Sequence, residues 1–258
     1  MKTGITFLAS SSAGNSLVIH AGGEGVMIDA GINGDMLDGL LKSELDPKLN
    51  IRGLLVTHEH GDHVRGMHYI CTKHGIPAIM TPALYEEIKN NLRGVKVLLC
   101  QKEERFSLGH FEILAFPVPH DTVDPVGYSI QFNNMKFGIA TDLGEVDSAA
   151  ERHMLGSDVL ALESNHDLDM LKSSQRPRIL KDRIKSSRGH LSNVQASEAL
   201  GKILSGNTKR LFLLHLSQEC NTAEKVDESV KARLEELGRK DIEYHIVNKG
   251  ICPAKYWI

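Results

Sequence analysis

The 258-residue sequence predicts an α/β protein, built as a β-rich sandwich with helices on its outer faces. The first half of the chain contains short apolar runs that end in loop-forming residues. The second half alternates strand patterns with helix patterns. No proline-rich linker, low-complexity tract or repeat interrupts the chain, so we predict one domain over residues 1–258.

Strands in the first half are marked by apolar runs between turn residues. The runs at 16–20 and 25–29 flank Gly22-Gly23 and predict a hairpin, while the Ser-rich stretch 10–15 predicts a loop. Strands are predicted at residues 5–9, 16–20, 25–29, 51–57, 78–80, 96–99, 110–117, 128–132 and 136–140. Helices are predicted at residues 35–41, 63–74 and 82–91, the last with Pro82 in its first turn.

The second half is marked by longer amphipathic patterns. Strands are predicted at residues 159–163, 210–215 and 243–247. Helices are predicted at residues 148–155, 168–187, 192–203 and 222–237. Ser192 is the expected N-cap of its helix, because a serine oxygen accepts a hydrogen bond from a free N–H of the first turn.

Composition argues against several classes of protein. The apolar fraction of 41% and charged fraction of 24% are typical of globular chains, and a formal charge of −3 argues against binding nucleic acid or membranes by overall charge. The four cysteines are scattered, which favours a reducing compartment over a disulfide framework. No apolar stretch has the length of a signal region or membrane span, so we predict a soluble, cytoplasmic protein.

One segment carries most of the chemical signal. Three histidines and an aspartate fall within six positions, in His58-Glu59-His60-Gly61-Asp62-His63. Histidine is the commonest metal ligand, and Gly61 permits the tight backbone path that turns these side chains to one point. The segment predicts a metal site rather than core histidines or an exposed histidine-rich loop, and Glu59 is expected to steady a histidine ring.

Three later polar residues also follow strand-like runs. His120 follows residues 113–118, Asp142 follows residues 137–141, and His215 follows residues 211–214. Each residue alone could equally be a capping or surface residue. Together with the cluster they exceed the roughly three protein ligands that one catalytic ion needs, so they predict a pair of ions.

This ligand pattern resembles the metallo-β-lactamase-fold superfamily, whose signature is H-x-H-x-D-H followed by separate His, Asp and His residues. The resemblance implies a four-layer αββα sandwich with two mixed β-sheets and helices on the outer faces. It also implies two metal sites with one bridging residue. The implied ligands are His58, His60 and His120 for one ion, Asp62, His63 and His215 for the other, and Asp142 as the bridge.

Three positions bear on the branch of the superfamily. His60 stands where flavodiiron oxidoreductases of this fold have Glu, which implies hydrolysis rather than redox chemistry. Asp142 stands where many true β-lactamases have Cys, which argues against antibiotic cleavage. His190 resembles the additional catalytic histidine of phosphodiesterase branches such as ribonuclease Z, although a plain histidine near a helix N-cap is the alternative.

The segments at 7–16, 163–167, 189–192 and 215–217 resemble the bacterial YycJ/WalJ-like family, described as DNA exonucleases acting from the 5′ end. The resemblance implies a binuclear phosphodiesterase, a 5′–3′ exonuclease that cleaves DNA through a metal-bridging hydroxide, with catalytic Asp62 and His190 and two zinc or manganese ions. One alternative is a small-ester or thioester hydrolase of the glyoxalase II type, which carries the same seven ligands. A nucleic-acid-binding module with a relict site is another, and the complete ligand set argues against it.

A basic segment directly precedes His190. Residues 172–188 contain seven Lys or Arg residues and one Asp. Contacts to phosphate supply most sequence-independent affinity for nucleic acid, so the segment is a candidate track for the DNA backbone, with Arg178, Lys181 and Arg188 as predicted substrate-binding residues. The alternative is a solvated helix face. No aromatic residue is interleaved, so base stacking is not indicated.

Overall fold

The computed structural model describes residues 2–247 and 249–258, which form two compact units. The first unit comprises the chain through Ile113 with Thr122–Asp124 and Gly250–Ile258, and the second comprises Leu114–Asp121 and Pro125–Lys249. The strands found in the described residues form two seven-stranded sheets. Both sheets are mixed, because each combines antiparallel and parallel pairs.

The first sheet is built from both ends of the chain. Its strands are β1 (Gly4–Ser11), β2 (Gly14–Ala21), β3 (Glu24–Ile28), β4 (Asn50–Leu55), β5 (Ala78–Met80), β6 (Val97–Leu99) and β14 (Ala254–Trp257), in the order β14-β1-β2-β3-β4-β5-β6. The helices of this unit are α1 (Gly34–Glu44), α2 (Gly61–Val64), α3 (Met67–His74) and α4 (Pro82–Ile88), and a 3₁₀ turn follows at Lys89–Asn91. Its core joins Leu8 and Leu54 of the sheet to Leu37 and Ile70 of the helices.

The second sheet follows in sequence. Its strands are β7 (Arg105–Leu108), β8 (Phe111–Pro117), β9 (Val126–Phe132), β10 (Met135–Ala140), β11 (Val159–Glu163), β12 (Arg210–Leu214) and β13 (Glu243–Ile246), in the order β13-β12-β11-β10-β9-β8-β7. The helices of the second unit are α5 (Ser148–Met154), α6 (Leu168–Ser173), α7 (Arg178–Ile184), α8 (Asn193–Ile203) and α9 (Ala223–Glu236). Its core joins Leu160 and Leu213 of the sheet to Leu200 and Val230 of the helices.

Two mixed sheets flanked by helices confirm the predicted fold class. Ser192 caps α8 as predicted, in a capping box in which its hydroxyl accepts from Gln195 N. The prediction of one domain over residues 1–258 stays a prediction. In the described part of the chain, no helix is both long enough and apolar enough to cross a membrane.

Two predicted helices are wrong in extent, and two strands were missed. The helix predicted at 63–74 is divided into α2 and α3 at Gly66, whose N–H donates to Ala30 O across the unit. The helix predicted at 168–187 is divided into α6 and α7 ahead of Pro177, because proline disfavours helical geometry in the preceding residue. The missed strands β7 and β14 are only four residues long.

Candidate metal centre

Two adjacent parallel strands, β3 and β4, position the histidine loop, which we define as residues 58–63. Asp29 directly follows β3 and has a left-handed φ of 57°, while Thr57 lies just beyond β4. Thr57 N donates to Asp29 Oδ1 at 2.9 Å, and Thr57 Oγ1 donates to Asp29 Oδ2 at 2.8 Å. These bonds fix the backbone at the point where the histidine loop begins.

The same network orients two histidine rings. His63 Nδ1 donates to Asp29 Oδ2 at 2.7 Å, and both residues are buried. Because the Thr57 hydroxyl donates to Asp29, it accepts from His58 Nδ1 at 2.9 Å. With the protons on Nδ1, the lone pairs lie on Nε2, which is the form of histidine that binds a metal ion.

His58 and His60 present two nitrogens at the spacing of neighbouring ligands. His58 Nε2 lies 3.2 Å from His60 Nδ1. Two nitrogens bound at about 2.0–2.1 Å to one tetrahedral zinc ion would be about 3.3 Å apart. The donor atoms and their spacing therefore fit a divalent ion at this end of the histidine loop.

Asp62 and His63 lie beside the turn between β1 and β2. A Cβ on Gly31 would lie 1.6 Å from Asp62 O, so only glycine allows this close approach of the backbones. Asn15 Nδ2 lies 3.0 Å from His63 Nε2 and 3.5 Å from Asp62 Oδ2. The loop predicted at 10–15 is therefore too long, because β1 and β2 leave only residues 12–13 as the turn, and Asn15 places its amide beside two predicted ligands from the start of β2.

Glu59 has a different partner from the one predicted. Its Oε1 accepts a hydrogen bond from Val123 N at 3.0 Å rather than from a histidine ring. Glu59 therefore anchors the loop at Thr122–Asp124 within the first unit.

In the second unit, the carboxylate of Glu163 joins two predicted site residues. Glu163 ends β11 and is fully buried. Its Oε1 accepts from His190 Nδ1 at 2.8 Å and from His215 Nδ1 at 2.7 Å. Its Oε2 accepts from the backbone N–H groups of Leu143 and Leu191 at 3.1 and 3.0 Å. Both imidazoles therefore direct Nε2 away from Glu163.

Asp142 joins this group from the end of β10. Its Oδ1 lies 3.3 Å from His215 Nδ1 and 3.6 Å from His190 Nδ1. One donor atom from each of Asp142, Glu163, His190 and His215 lies within 4.8 Å of the others. Because Glu163 accepts the Nδ1 protons of both imidazoles, the atoms of this group that can bind zinc or manganese are the Asp142 carboxylate and the histidine Nε2 atoms.

His120 is held in the same unit by the segment that carries His190. His120 Nδ1 donates to Gly189 O at 2.9 Å, and the His120 and His190 rings are 5.0 Å apart. Arg188 Nη2 donates to His120 O at 3.0 Å, so both the ring and the backbone carbonyl of His120 are held. As for His58 and His63, the Nδ1 bond leaves the lone pair on Nε2.

Burial and charge act in opposite directions on these groups. Burial lowers the pKa of His120, which favours the neutral ring that a ligand needs. Burial also acts to lower the pKa of His190, but the Glu163 carboxylate outweighs it and raises that pKa above its usual value. For Glu163, burial acts to raise the pKa, while His190 and His215 outweigh it and hold the pKa below the usual range.

His215 depends on an amide network for its backbone conformation. It has a left-handed φ of 57°, which is strained for a residue with a side chain. Asn165 Nδ2 donates to His215 O at 2.9 Å and stabilises this conformation. The neighbouring His166 is buried, and burial lowers its pKa to about 4, so its ring is neutral near pH 7.

The predicted substrate-binding residues differ in solvent exposure and in the hydrogen bonds that they make within the protein. Arg178 is exposed over 94% of its side chain. Lys181 Nζ donates to the carbonyl oxygens of Lys172 and Ser174, both at 2.7 Å, and Arg188 donates to His120 O. Arg178 is therefore the most accessible of the three, while Lys181 and Arg188 also brace the backbone.

Sequence reasoning assigned no role to Asp29 or Glu163. Each is an acidic residue at the end of a buried apolar run, Val26–Ile28 and Val159–Leu162 respectively. The rule that singled out Asp142 and His215 as polar residues at strand ends would have found them.

Asp29→Asn is expected to weaken metal binding by about 10- to 100-fold, because the amide is a poorer acceptor for the His63 and Thr57 donors. Chelator competition with zinc measures the affinity. Asp38→Asn is the matched control, since Asp38 is a buried carboxylate bonded to Lys42 and His74, away from the histidine loop. Equal affinities in the two variants would refute a role for Asp29 in orienting His63.

Comparison with known proteins places the chain in a family. Residues 25–216 match the β-lactamase superfamily domain. Exodeoxyribonuclease YycJ of Bacillus anthracis is 32% identical over 235 residues, covering 90% of this chain and 89% of that protein. Exodeoxyribonuclease WalJ of Streptococcus pneumoniae is 32% identical over 224 residues, covering 85% and 83%.

A solved structure agrees with this assignment. The metallo-β-lactamase fold protein YhfI from Bacillus subtilis matches with a TM-score of 0.75 at 15% identity, covering 99% of this chain and 100% of that one. The histidine loop had already indicated the same superfamily. The chain therefore belongs to the β-lactamase superfamily, and it is a metal-dependent hydrolase of the metallo-β-lactamase fold.

Proposed function

We propose that this protein is a binuclear phosphodiesterase that degrades DNA as an exonuclease from the 5′ end. The observation that carries the proposal is the bond between His190 and the buried carboxylate of Glu163. It provides a fixed imidazole with a raised pKa beside the predicted ligands Asp142 and His215. The relatives named exodeoxyribonucleases support DNA as the substrate.

We assign the metal ligands from the superfamily motif. Two divalent ions, zinc or manganese, would be held by His58, His60 and His120, by Asp62, His63 and His215, and by Asp142 as the bridge. The fixed Nδ1 atoms of His58, His63, His120 and His215 support this assignment. When bound, the ions supply Lewis acidity that activates water and balances charge on the phosphoryl oxygens. Because the family match runs over residues 25–216, we also propose that residues 1–258 form one functional hydrolase domain.

Asp62 and His190 have complementary roles in the proposed reaction. The Asp62 carboxylate accepts a hydrogen bond from the attacking water, orients it towards phosphorus and takes the proton that the water loses. As the new P–O bond forms and the old one breaks, the leaving oxygen takes a proton from His190 Nε2. Glu163 stabilises the charged form of His190, which keeps this proton available near neutral pH.

Three substrates test the proposal in one experiment. Purified protein with Mn²⁺ or Zn²⁺ is assayed on end-labelled DNA, on bis-p-nitrophenyl phosphate and on S-lactoylglutathione. We expect stepwise release of nucleotides from DNA, slower hydrolysis of the small diester, and loss of both activities with a chelator. Cleavage of S-lactoylglutathione alone would replace the nuclease with a thioester hydrolase, and release from the 3′ end would refute the polarity.

Arg178→Glu is expected to lower DNA cleavage relative to bis-p-nitrophenyl phosphate cleavage by about fivefold at low salt. The logarithm of DNA affinity falls linearly with the logarithm of the salt concentration, and each cation that contacts a phosphate contributes about one unit to that slope. Reversing the charge at Arg178 should therefore make the slope shallower by about one to two units. Lys240→Glu is the control, because Lys240 is 75% exposed in the same unit but lies outside the basic segment. If both variants lose DNA cleavage equally, Arg178 does not contact the DNA backbone.

A further inference from the structure

Ile179 is a large apolar side chain in an unusual position. It is 86% exposed, whereas the next most exposed large apolar residue among the described ones, Leu99, is 54% exposed. A single exposed aliphatic residue is ordinary on a protein surface. The surroundings of Ile179 are what distinguish it.

Ile179 lies in the first turn of α7, directly after the exposed Arg178. Residues four apart share one face of a helix, so Ile179 shares a face with Arg183, about 6 Å further along the axis. The Arg183 guanidinium pairs with Asp121, the residue after His120. Ile179 therefore lies on the helix face that leads to His120.

The helix that carries Ile179 is firmly braced. Lys181 Nζ bonds the carbonyl oxygens of Lys172 and Ser174, which ties α7 to the end of α6. At the other end of the helix, Ile184 O accepts from His190 N at 2.9 Å. The helix that carries Ile179 is thus joined by a backbone hydrogen bond to the proposed proton donor.

Charge around Ile179 favours nucleic acid as its partner. Acidic residues pair with Arg176 and Arg183. Arg178 and Lys185 share Asp182 at the longer distances of 3.6 and 3.5 Å, and their side chains are 94% and 49% exposed. Phosphates are the natural partners of such exposed cations. An aliphatic side chain beside them matches the apolar residues that some DNA-binding proteins insert between base steps.

We propose that Ile179 is a wedge that separates the terminal base pair of duplex DNA and directs one strand along α7 towards His120 and His190. Arg178 holds the phosphates beside the opened pair. This inference rests on the proposed exonuclease function and deepens it by naming the residue that would open duplex ends. Opening one pair costs about the stacking free energy of one base step, which corresponds to about a tenfold equilibrium factor.

The ratio of duplex to single-strand cleavage tests the wedge. Blunt duplex and single-stranded DNA of one sequence are digested by the wild-type protein and by Ile179→Ala, Ile179→Leu and Leu155→Ala. We expect the ratio to fall about tenfold in Ile179→Ala and to be retained in Ile179→Leu, which keeps the bulk. Leu155 is 44% exposed in the same unit and is the matched control, for which the ratio should not change.

A binding measurement gives a readout that does not depend on catalysis. A hairpin duplex with 2-aminopurine in its terminal pair and uncleavable phosphorothioate linkages at its 5′ end is titrated with metal-loaded protein. We expect the fluorescence to rise with wild-type protein, because the base unstacks, and to rise much less with Ile179→Ala at saturating protein.

Three outcomes would overturn the wedge and are distinct from failure of the proposed function. These are an unchanged cleavage ratio in Ile179→Ala, a wild-type protein that digests single strands only, and an equal fluorescence rise in both proteins. The last outcome would leave Ile179 as a contact for another protein. Absence of cleavage on both DNA forms would instead refute the exonuclease function itself.

Discussion

Asp62→Ala is expected to lower DNA cleavage by about 10³-fold or more while the protein remains folded. In the proposed reaction Asp62 binds an ion and orients the attacking water, so its loss removes two contributions to the same step. Asp62 is partly exposed, at 21% of its side chain, and its removal leaves no large cavity. The initial rate on DNA, the rate on bis-p-nitrophenyl phosphate and the bound metal per chain are measured together.

The two substrates should lose activity to a similar extent, because Asp62 acts on the phosphodiester and not on the rest of the DNA. Metal analysis should show fewer ions per chain than in the wild-type protein. Asp35→Ala is the control, since Asp35 lies in the first turn of α1 and pairs with Tyr69 on the surface. Full activity of Asp62→Ala on either substrate would refute the proposed mechanism.

Glu163→Gln is expected to destabilise the fold by about 3–5 kcal/mol and to lower activity by about 10²-fold or more. The carboxylate accepts four hydrogen bonds in a fully buried position, two from imidazoles and two from backbone N–H groups. The amide of the variant would place N–H groups against the N–H donors that the carboxylate accepts from. Loss of one charged partner in a buried ionic cluster typically costs about 3–5 kcal/mol of stability. Both His190 and His215 would lose their orientation, which accounts for the loss of activity.

The effect of Glu163→Gln on stability should depend on pH. The folded-state pKa of Glu163 is below its ordinary value of 4.5, so its contribution is fully present above about pH 4.5 and is lost as the pH falls through the lowered value. Urea unfolding at pH 7.5, 5.5 and 4 measures the difference between the wild-type protein and the variant. This difference should shrink at the lowest pH.

Asp227→Asn provides the comparison for Glu163→Gln in the same unit. Asp227 accepts from the Tyr244 hydroxyl at 2.7 Å, and Tyr244 pairs with Leu211 near the start of β12, whereas His215 follows the end of that strand. We expect this variant to lose some stability and to keep its metal affinity. If Glu163→Gln also keeps the metal affinity of the wild-type protein, Glu163 does not orient His215.

The local sequence predicted that this protein binds metal ions. Four of the proposed ligands occur within six residues, and His120, Asp142 and His215 each follow an apolar run that the structure forms as a strand end. The parallel strands β10, β11 and β12 bring their carboxyl ends to one edge of the sheet, so short-range patterns predicted the placement of Asp142 and His215. The two mixed sheets with helices followed from the same apolar runs.

The partners of those residues were decided by tertiary structure. Asp29 meets His63 across 34 positions, and Glu163 meets His190 and His215 across 27 and 52. Helix ends were also set by long-range contacts, as at Gly66, whose N–H bonds Ala30 O. The sequence by itself determined which residue types can bind a metal ion and that strands deliver them. Only the fold decided which nitrogen of each ring is protonated, because that depends on hydrogen bonds between residues far apart in the chain.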